Sequence, residues 1–442
     1  MRTLTAKPAT NMRGVFLLIA GASIAMLAIA LLLANRGSGT APAAPLAGAQ
    51  STEAGIAFWE ARVRQDPADF TAYNHLASAH IQRGRETGDV SEYTRAQAAT
   101  DASLKSLPGD NYTAYALRAY LENVRHDFQT SMATALQAEQ LNANDPYAPS
   151  VLGDDQLALG RYEAAFQTYS SLVQAAPGLS TFARMAQIYE IRGDVGNADD
   201  AWKNAIETDA GDNAEATAWA HTQSGSFLFN QGRLDEADGR YAEALRAYPG
   251  YIHALAGQAS VAAANGDYER SIDLYTQVTE RQPVPQYVAA LGDVYAVAGE
   301  QEQAQRQYAL IDAIEQLYQA NGINVDLQMS LFLSDHDLNI SGAAEQALAV
   351  RRAQPDSVYT ADAVAWALYK AGRYNEALPY ADAALALGTR DAGFFYHAGM
   401  IQKALGNAAA ARDDLQTALH VNPHFSPLQA PLAQQALSEL GR

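Results

Sequence analysis

Nine histidines are the side chains of this 442-residue sequence best placed for acid–base or metal chemistry near neutral pH. They stand at positions 75, 80, 126, 221, 253, 336, 397, 420 and 424. None belongs to an HExxH motif, the spacing that puts two imidazoles on one helical face around zinc. His420 and His424 are four apart, but Pro423 lies between them and breaks the helix that would align them. Asp335–His336–Asp337 is the one tight cluster of histidine with carboxylates. In a loop it could meet a divalent cation. Two adjacent carboxylates and one imidazole rarely complete a coordination shell, so no metal is assigned. The acid pairs Asp154–Asp155, Asp199–Asp200 and Asp413–Asp414 read as solvated helix faces or helix N-termini, where negative charge is favoured. Cysteine is absent, which removes disulfides, thiolate zinc sites and cysteine nucleophiles. No phosphate loop, GxSxG elbow or dinucleotide fingerprint occurs. Neither an enzyme's chemistry nor a cofactor is expected.

Hydrophobic residues make up 48% of the chain and charged residues 18%, too little charge for a disordered polymer. Alanine is frequent and β-branched residues are sparse, which favours helix over sheet. The formal net charge is −19 and the isoelectric point is near 4.8. Phosphate backbones repel such a surface, so nucleic acid is not expected as a partner.

Val15 to Ala34 runs for 20 residues without a charge. As a helix this length spans about 30 Å, the thickness of a bilayer's hydrocarbon core. Residues 1–36 carry 4 basic and 0 acidic groups, and the remainder carries 26 basic and 49 acidic. That asymmetry predicts a cytoplasmic tail at 1–14, a transmembrane signal anchor at 15–35 and export of everything after it. The chain would then sit in the cytoplasmic membrane with a single pass. A cleaved signal peptide is the rival reading. The apolar run is long for one, and the small-residue site at Ala47–Gly48–Ala49 lies well beyond it. Residues 36–52, rich in Ala, Gly, Pro and Ser, read as a flexible linker.

From about residue 53 one pattern recurs. A Gly-polar-aromatic turn leads into a helix with alanine three residues on, an aromatic four later and often a proline near its end. Clear copies are GRYEAAFQTY from Gly160, GRLDEADGRY from Gly232, GDYERSIDLY from Gly266 and GRYNEALPYA from Gly372. The turn glycines at 160, 193, 232, 266, 299, 372 and 406 are spaced by 33, 39, 34, 33, 73 and 34 residues. The 73 spans one degenerate copy ending at Pro355. A 34-residue period is that of a helix-turn-helix unit that buries its apolar face only by stacking on neighbours.

On these residues the chain resembles the tetratricopeptide repeat family. Leu152–Gly153 and Leu291–Gly292 match the family's Leu-Gly pair. Ala165, Ala198, Ala237, Ala304, Ala377 and Ala411 match its second-helix alanine. Pro108, Pro177, Pro249, Pro283, Pro355 and Pro423 match its closing proline. The stretch Tyr359–Pro423 looks like a subset of bacterial exported members. The resemblance implies an all-α solenoid, a right-handed superhelix of about ten hairpins over 53–424, starting near 70, 111, 145, 178, 217, 251, 284, 323, 357 and 391. A half unit at 53–66 precedes it, and a capping helix at Leu428–Leu440 closes a C-terminal segment, 425–442. Four departures are expected. Extra residues at Arg85–Glu92 follow a first turn glycine, His126 replaces glycine in the second turn, an insertion falls at Ala210–Glu215, and an irregular loop falls at Asp335–Ser341.

The resemblance also implies that the first helix of each unit lines a concave groove, where partner proteins bind. At the transferred positions the early units present small or mildly polar groups: Thr71, Asn74, Ser78 and Gln82. The last three present Phe332, Asp335 and His336; Tyr359, Asp362, Trp366, Tyr369 and Lys370; Tyr396, Met400 and Lys403. Aromatics mixed with a few charges have the composition of a binding hot spot. The implied function is a membrane-anchored interaction scaffold. A sensor for a small ligand or metal at the same C-terminal groove is the alternative. Asn74 and Ser78 stand where a carboxylate clamp would need its cation, so that binding mode is not expected.

Overall fold

A computed structural model describes residues 52–211, 213–324 and 326–441. The expected tail, anchor and most of the linker lie outside the described residues. Among the described residues every regular element is a helix, and none is long and apolar enough to cross a membrane.

A single helix, α1 (Thr52–Gln65), is followed by ten hairpins, each a first helix A and a second helix B. Unit 1 pairs α2 (Phe70–Thr87) with α3 (Val90–Ser106), and unit 2 pairs α4 (Tyr112–Val124) with α5 (Phe128–Leu141). Units 3 and 4 are α6 (Tyr147–Ala158) with α7 (Tyr162–Ala175), and α8 (Leu179–Ile191) with α9 (Val195–Glu207). Units 5 and 6 are α10 (Ala214–Asn230) with α11 (Leu234–Ala247), and α12 (Ile252–Ala264) with α13 (Tyr268–Arg281). Units 7 and 8 are α14 (Pro285–Val297) with α15 (Gln301–Ala320), and α16 (Asp326–Asp335) with α17 (Ile340–Ala353). Units 9 and 10 are α18 (Val358–Lys370) with α19 (Tyr374–Leu385), and α20 (Ala392–Ala404) with α21 (Ala408–Val421). A final helix, α22 (Gln429–Leu440), packs on unit 10.

Local chemistry sets these boundaries. The carboxylates of Asp69, Asp194 and Asp267 accept backbone N–H groups of the turn that follows, a side-chain cap that satisfies one of a helix's four orphan donors. Units 1, 3, 5 and 7 close tightly where a glycine of helix A faces a tyrosine of helix B. Gly153 lies on Tyr169 so closely that a Cβ would overlap the ring, and Gly292 meets Tyr308 the same way. The departures resolve in physical terms. Gly84 does not end the first helix: α2 continues to Thr87, and Gly88, with φ 70°, makes the left-handed turn. His126 takes φ 62° in the second turn without glycine. The irregular loop of unit 8 spans His336–Asn339, with Asp337 at φ 55° and Asn339 at φ 37°.

One acid pair departs from expectation. Asp154 and Asp155 are buried rather than solvated, because Arg184 and Asn123 await them. The Arg184 guanidinium donates twice to Asp154, both at 2.8 Å, and the Tyr169 hydroxyl adds a third bond at 2.9 Å. Asn123 donates to Asp155 at 2.8 Å. Burial pushes the Asp155 carboxyl up to about 8, against the hydrogen bonds of Ser131 and Asn123.

Successive turns of the superhelix touch. The Val358 N–H donates to the Tyr162 hydroxyl across 196 residues (2.8 Å), Thr389 Oγ1 donates to the Ile191 carbonyl across 198, and Asn422 Nδ2 donates to the Phe229 carbonyl across 193 (2.8 Å). In each case the A–B turn region of one unit meets the connection that follows the fifth unit beyond it. Gly88 against Gln282 extends the series. The cores follow the same rule. Units 1–3 share one apolar cluster with units 7 and 8, and units 3–6 share another with units 9 and 10.

Candidate functional site

Of the groove residues expected in units 8–10, Asp335, Tyr369, Lys370 and Tyr396 lie around Trp366, whereas Phe332 packs in the cluster of units 1–3, 7 and 8 and Tyr359 in that of units 3–6, 9 and 10. The A helices of units 8–10, α16, α18 and α20, lie side by side, and residues at helical spacing on their inner faces converge. Trp366 is 2% exposed. Its ring stacks on Tyr369 (4.9 Å between centroids) and on His397 (4.1 Å) and leans on Tyr396 (5.5 Å). Its indole N–H donates to Asp335 at 2.7 Å. Lys370 places its ammonium 5.3 Å from the indole centroid and pairs with Asp337 at 2.7 Å. Phe332 packs with Tyr308 and His336, Tyr359 meets Phe394 edge-on, and Lys403 pairs with Glu439 on α22.

Charges in this groove are paired, as burial requires. His336 points Nδ1 at the Phe332 carbonyl and Nε2 at Asp293, each at 2.8 Å. Two acceptors demand two ring protons, so the imidazolium fits. Burial alone would lower the pKa of His336, but the hydrogen bond and charge of Asp293 outweigh it and raise it. His397 donates to Asp362 at 2.8 Å, and here too the carboxylate overcomes the burial penalty and raises the histidine. Burial raises Asp335, with the nearby His397 and the Trp366 N–H opposing.

The groove is not empty. After α21 the chain turns inward. Phe425 leans on Tyr396 at 5.5 Å, and Gln429 donates to Asp335 at 2.7 Å. His424, Phe425 and Pro427 also line a cavity with Phe229, Ser260 and Asp293 of units 5–7. The expected capping helix therefore seals the groove as well as the solenoid's end. The expected cluster at 335–337 is split: Asp335 turns inward, while exposed Asp337 pairs with Lys370. Among the described residues no three His, Cys, Asp or Glu side chains converge as metal ligands.

Inside-facing first helices with glycine, tight A–B turns and a 34-residue rise per unit are matched by the sequence comparison. The tetratricopeptide repeat family model matches residues 223–283, 256–316 and 363–427, which fall in units 5–7 and 9–10. Over those residues the chain carries tetratricopeptide repeats. Solved structures with similar hairpins include a tetratricopeptide repeat protein from Parabacteroides merdae ATCC 43184, 16% identical, with 60% of this chain and 99% of that one covered and a TM-score of 0.35. The Cut9–Hcn1 hetero-tetramer of APC/C is 13% identical over 88% of this chain and 93% of that one, with a TM-score of 0.33. YrrB, described as a tetratricopeptide protein with an unusual peptide-binding site, is 19% identical over 42% of this chain and 94% of that one, with a TM-score of 0.28. No curated protein matches the sequence.

In the early units the inner residues expected to meet a partner are engaged within the chain. Asn74 is not presented to a partner: it is 6% exposed and bonded to Asn111 and Ser103. Arg85, at the end of α2, forms an ion pair with Glu215, 130 residues on at the start of α10. The charges of both act on Tyr93 and Tyr251, from units 1 and 6, and that of Arg85 also acts on Tyr147 of unit 3. Burial pushes the Tyr93 hydroxyl up to about 12. Sequence reading missed Arg85, Glu215, Arg184, His397, Phe425 and Gln429. An arginine and a histidine within alanine-rich first helices were signals for Arg184 and His397. No local signal marks the others, whose partners are distant in sequence.

Proposed function

We propose that this chain is a scaffold anchored in the cytoplasmic membrane. Its tetratricopeptide superhelix, on the outer side, holds a protein partner at the border of the groove of units 8–10. The observation that supports this most is that the groove already holds a polypeptide segment, its own residues 424–429. An aromatic side chain, Phe425, lies on an aromatic wall, and an amide, Gln429, meets a buried carboxylate. These are the contacts by which peptides are held in grooves: a few aromatic anchors, with polar groups fixing register. Tyr369 and Lys370 remain partly exposed at the border, where a partner's aromatic group could stack on Tyr369 and its acidic group could compete with Asp337 for Lys370. The uncharged run Val15–Ala34 and the basic residues around it support the anchor and its orientation. The sensor reading has less support, since the inward turn of Asp335 separates it from Asp337.

Trp366 is too buried to serve as a clean probe, so the test uses the border. A photo-cross-linking residue at Tyr369 should yield a discrete protein adduct in native membranes. The adduct should vanish in a second chain carrying Lys370→Glu with its helical circular dichroism intact. Adducts indifferent to Lys370→Glu would refute the groove. Protease added to intact spheroplasts should degrade the superhelix, and protection there would refute the orientation.

A further inference from the structure

The two edges of this superhelix are mates. Within the chain, the A–B turn regions of units 1–5 sit on the connections that follow units 6–10, and at units 3–5 the turn glycine packs on backbone. Gly160 packs on the Asp356–Ser357 peptide, Gly193 on the Gly388 carbonyl and Gly232 on Val421–Asn422. A Cβ at Gly160 or Gly193 would overlap its mate. Five turns and five connections are thereby used. The turns of units 6–10 and the connections between units 1–5 are left over. The unused turns are open: nothing lies within 4 Å of a Cβ built on Gly266, Gly299, Gly372 or Gly406. The unused connections wall an open cavity of about 360 Å³, formed by residues 145–147, 176–181 and 208–210 over Tyr112 and Leu117.

We infer that these free edges bind one another between copies, so that the chain assembles head to tail. The sharpest sign is a repeated motif in two environments. Gly160-Arg161-Tyr162 and Gly372-Arg373-Tyr374 are the same turn in units 3 and 9. Tyr162 is 7% exposed, because its hydroxyl accepts the first N–H of α18. Tyr374, its counterpart on the free edge, is 36% exposed. Leu338, in the unused turn of unit 8, is 40% exposed. On the facing edge, α8 starts at Leu179 as α18 starts at Val358, with an N–H that has no acceptor inside its own helix. A tyrosine hydroxyl from the next copy fits that donor. The contact is heterologous and does not close on itself, so it propagates as a line of copies. Each copy carries a formal −19, so salt should strengthen assembly by screening the repulsion.

The test is sedimentation velocity with negative-stain microscopy on the full chain in detergent. The wild type should grow into linear particles as concentration and salt rise. Tyr374→Glu, on the turn edge, and Ala210→Arg, on the connection edge, should each weaken assembly about tenfold or more. Mixed together they should form dimers and stop there, because each retains the edge the other lacks. Association through the apolar N-terminal segment would ignore both substitutions, and a symmetric dimer would not be rescued by mixing. Either result, or a monomer at every concentration, overturns the proposal.

Discussion

If turn-to-turn joints hold the superhelix closed, removing their three hydrogen bonds should loosen it without touching any hairpin core. The perturbation is Tyr162→Phe with Thr389→Val and Asn422→Ala. Each removes one side of a bond between turns: Tyr162 to the Val358 N–H, Thr389 to the Ile191 carbonyl and Asn422 to the Phe229 carbonyl. Thr389 and Asn422 are 5% and 1% exposed, so water does not readily replace the lost partner. A buried hydrogen bond contributes about 0.5–1.5 kcal/mol net, so three amount to roughly 1.5–4.5 kcal/mol. The bonds lie in three different units and share no partner, so their effects should nearly add. Native-state hydrogen exchange reads the local effect. Val358 opens α18 and has no acceptor within its helix, so its amide is protected only by the Tyr162 hydroxyl. Tyr162→Phe should raise its exchange severalfold, and the triple variant should unfold at lower denaturant with a separable first transition. Tyr374→Phe, on the free edge, should do neither in dilute solution. Unchanged Val358 exchange in Tyr162→Phe, or a triple variant with wild-type denaturation, would refute the closed superhelix.

Three further outcomes follow from buried groups. Arg184→Met leaves the Asp154 carboxylate unpaired in the core and should cost about 3–5 kcal/mol, whereas Asp154→Leu combined with Arg184→Met should recover most of it, both read by urea denaturation. Gly153→Ala pushes a methyl into the Tyr169 ring and should cost about 1–3 kcal/mol, read by urea denaturation. Burial lowers His126 and His253 to about 4 from 6.5, so the unfolded chain binds protons first as pH falls. Their stabilisation should be lost between pH 6.5 and 4, up to about 3 kcal/mol each. His336 and His397 are raised, so their stabilisation should be full below 6.5 and fade as pH rises through their folded values. Comparing wild type with His253→Gln across pH 4–7 checks the first half. A constant difference would count against it.

The helices and their pairing were legible because the signals that make them are local. A glycine every 34 residues and an alanine three residues after each turn aromatic fix where hairpins begin and which faces meet. The expected unit starts at 70, 145, 251, 284, 357 and 391 fall within two residues of Phe70, Tyr147, Ile252, Pro285, Val358 and Ala392. Even the weak eighth unit declared its irregular loop, since Asp-His-Asp-Leu-Asn offers no glycine for the turn and Asp337 and Asn339 must take positive φ themselves.

Distance defeated the reading of the site. Transferring groove positions unit by unit names candidates for an inner face, and of these Asp335, Asp362, Trp366, Tyr369 and Tyr396 lie in one cluster of contacts with His397. It cannot find what meets them there, because that depends on how many units make one superhelical turn. Small rotations between neighbouring hairpins set that number, and they accumulate over five or six units. Here the sum brings the turn of unit 3 onto the connection after unit 8, Glu215 onto Arg85, and Gln429 onto Asp335. A hot-spot composition on an inner face therefore has two meanings. In an open solenoid it is a surface waiting for a partner, and in a closed one it is a core with its own chain inside. Aromatic content alone does not distinguish them. Exposure does: Trp366 at 2% and Tyr396 at 1% belong to the second case, while Tyr374 at 36% belongs to the first. The side chains that remain free to bind thus sit on the border and the edges of this superhelix, positions the family pattern assigns to turns.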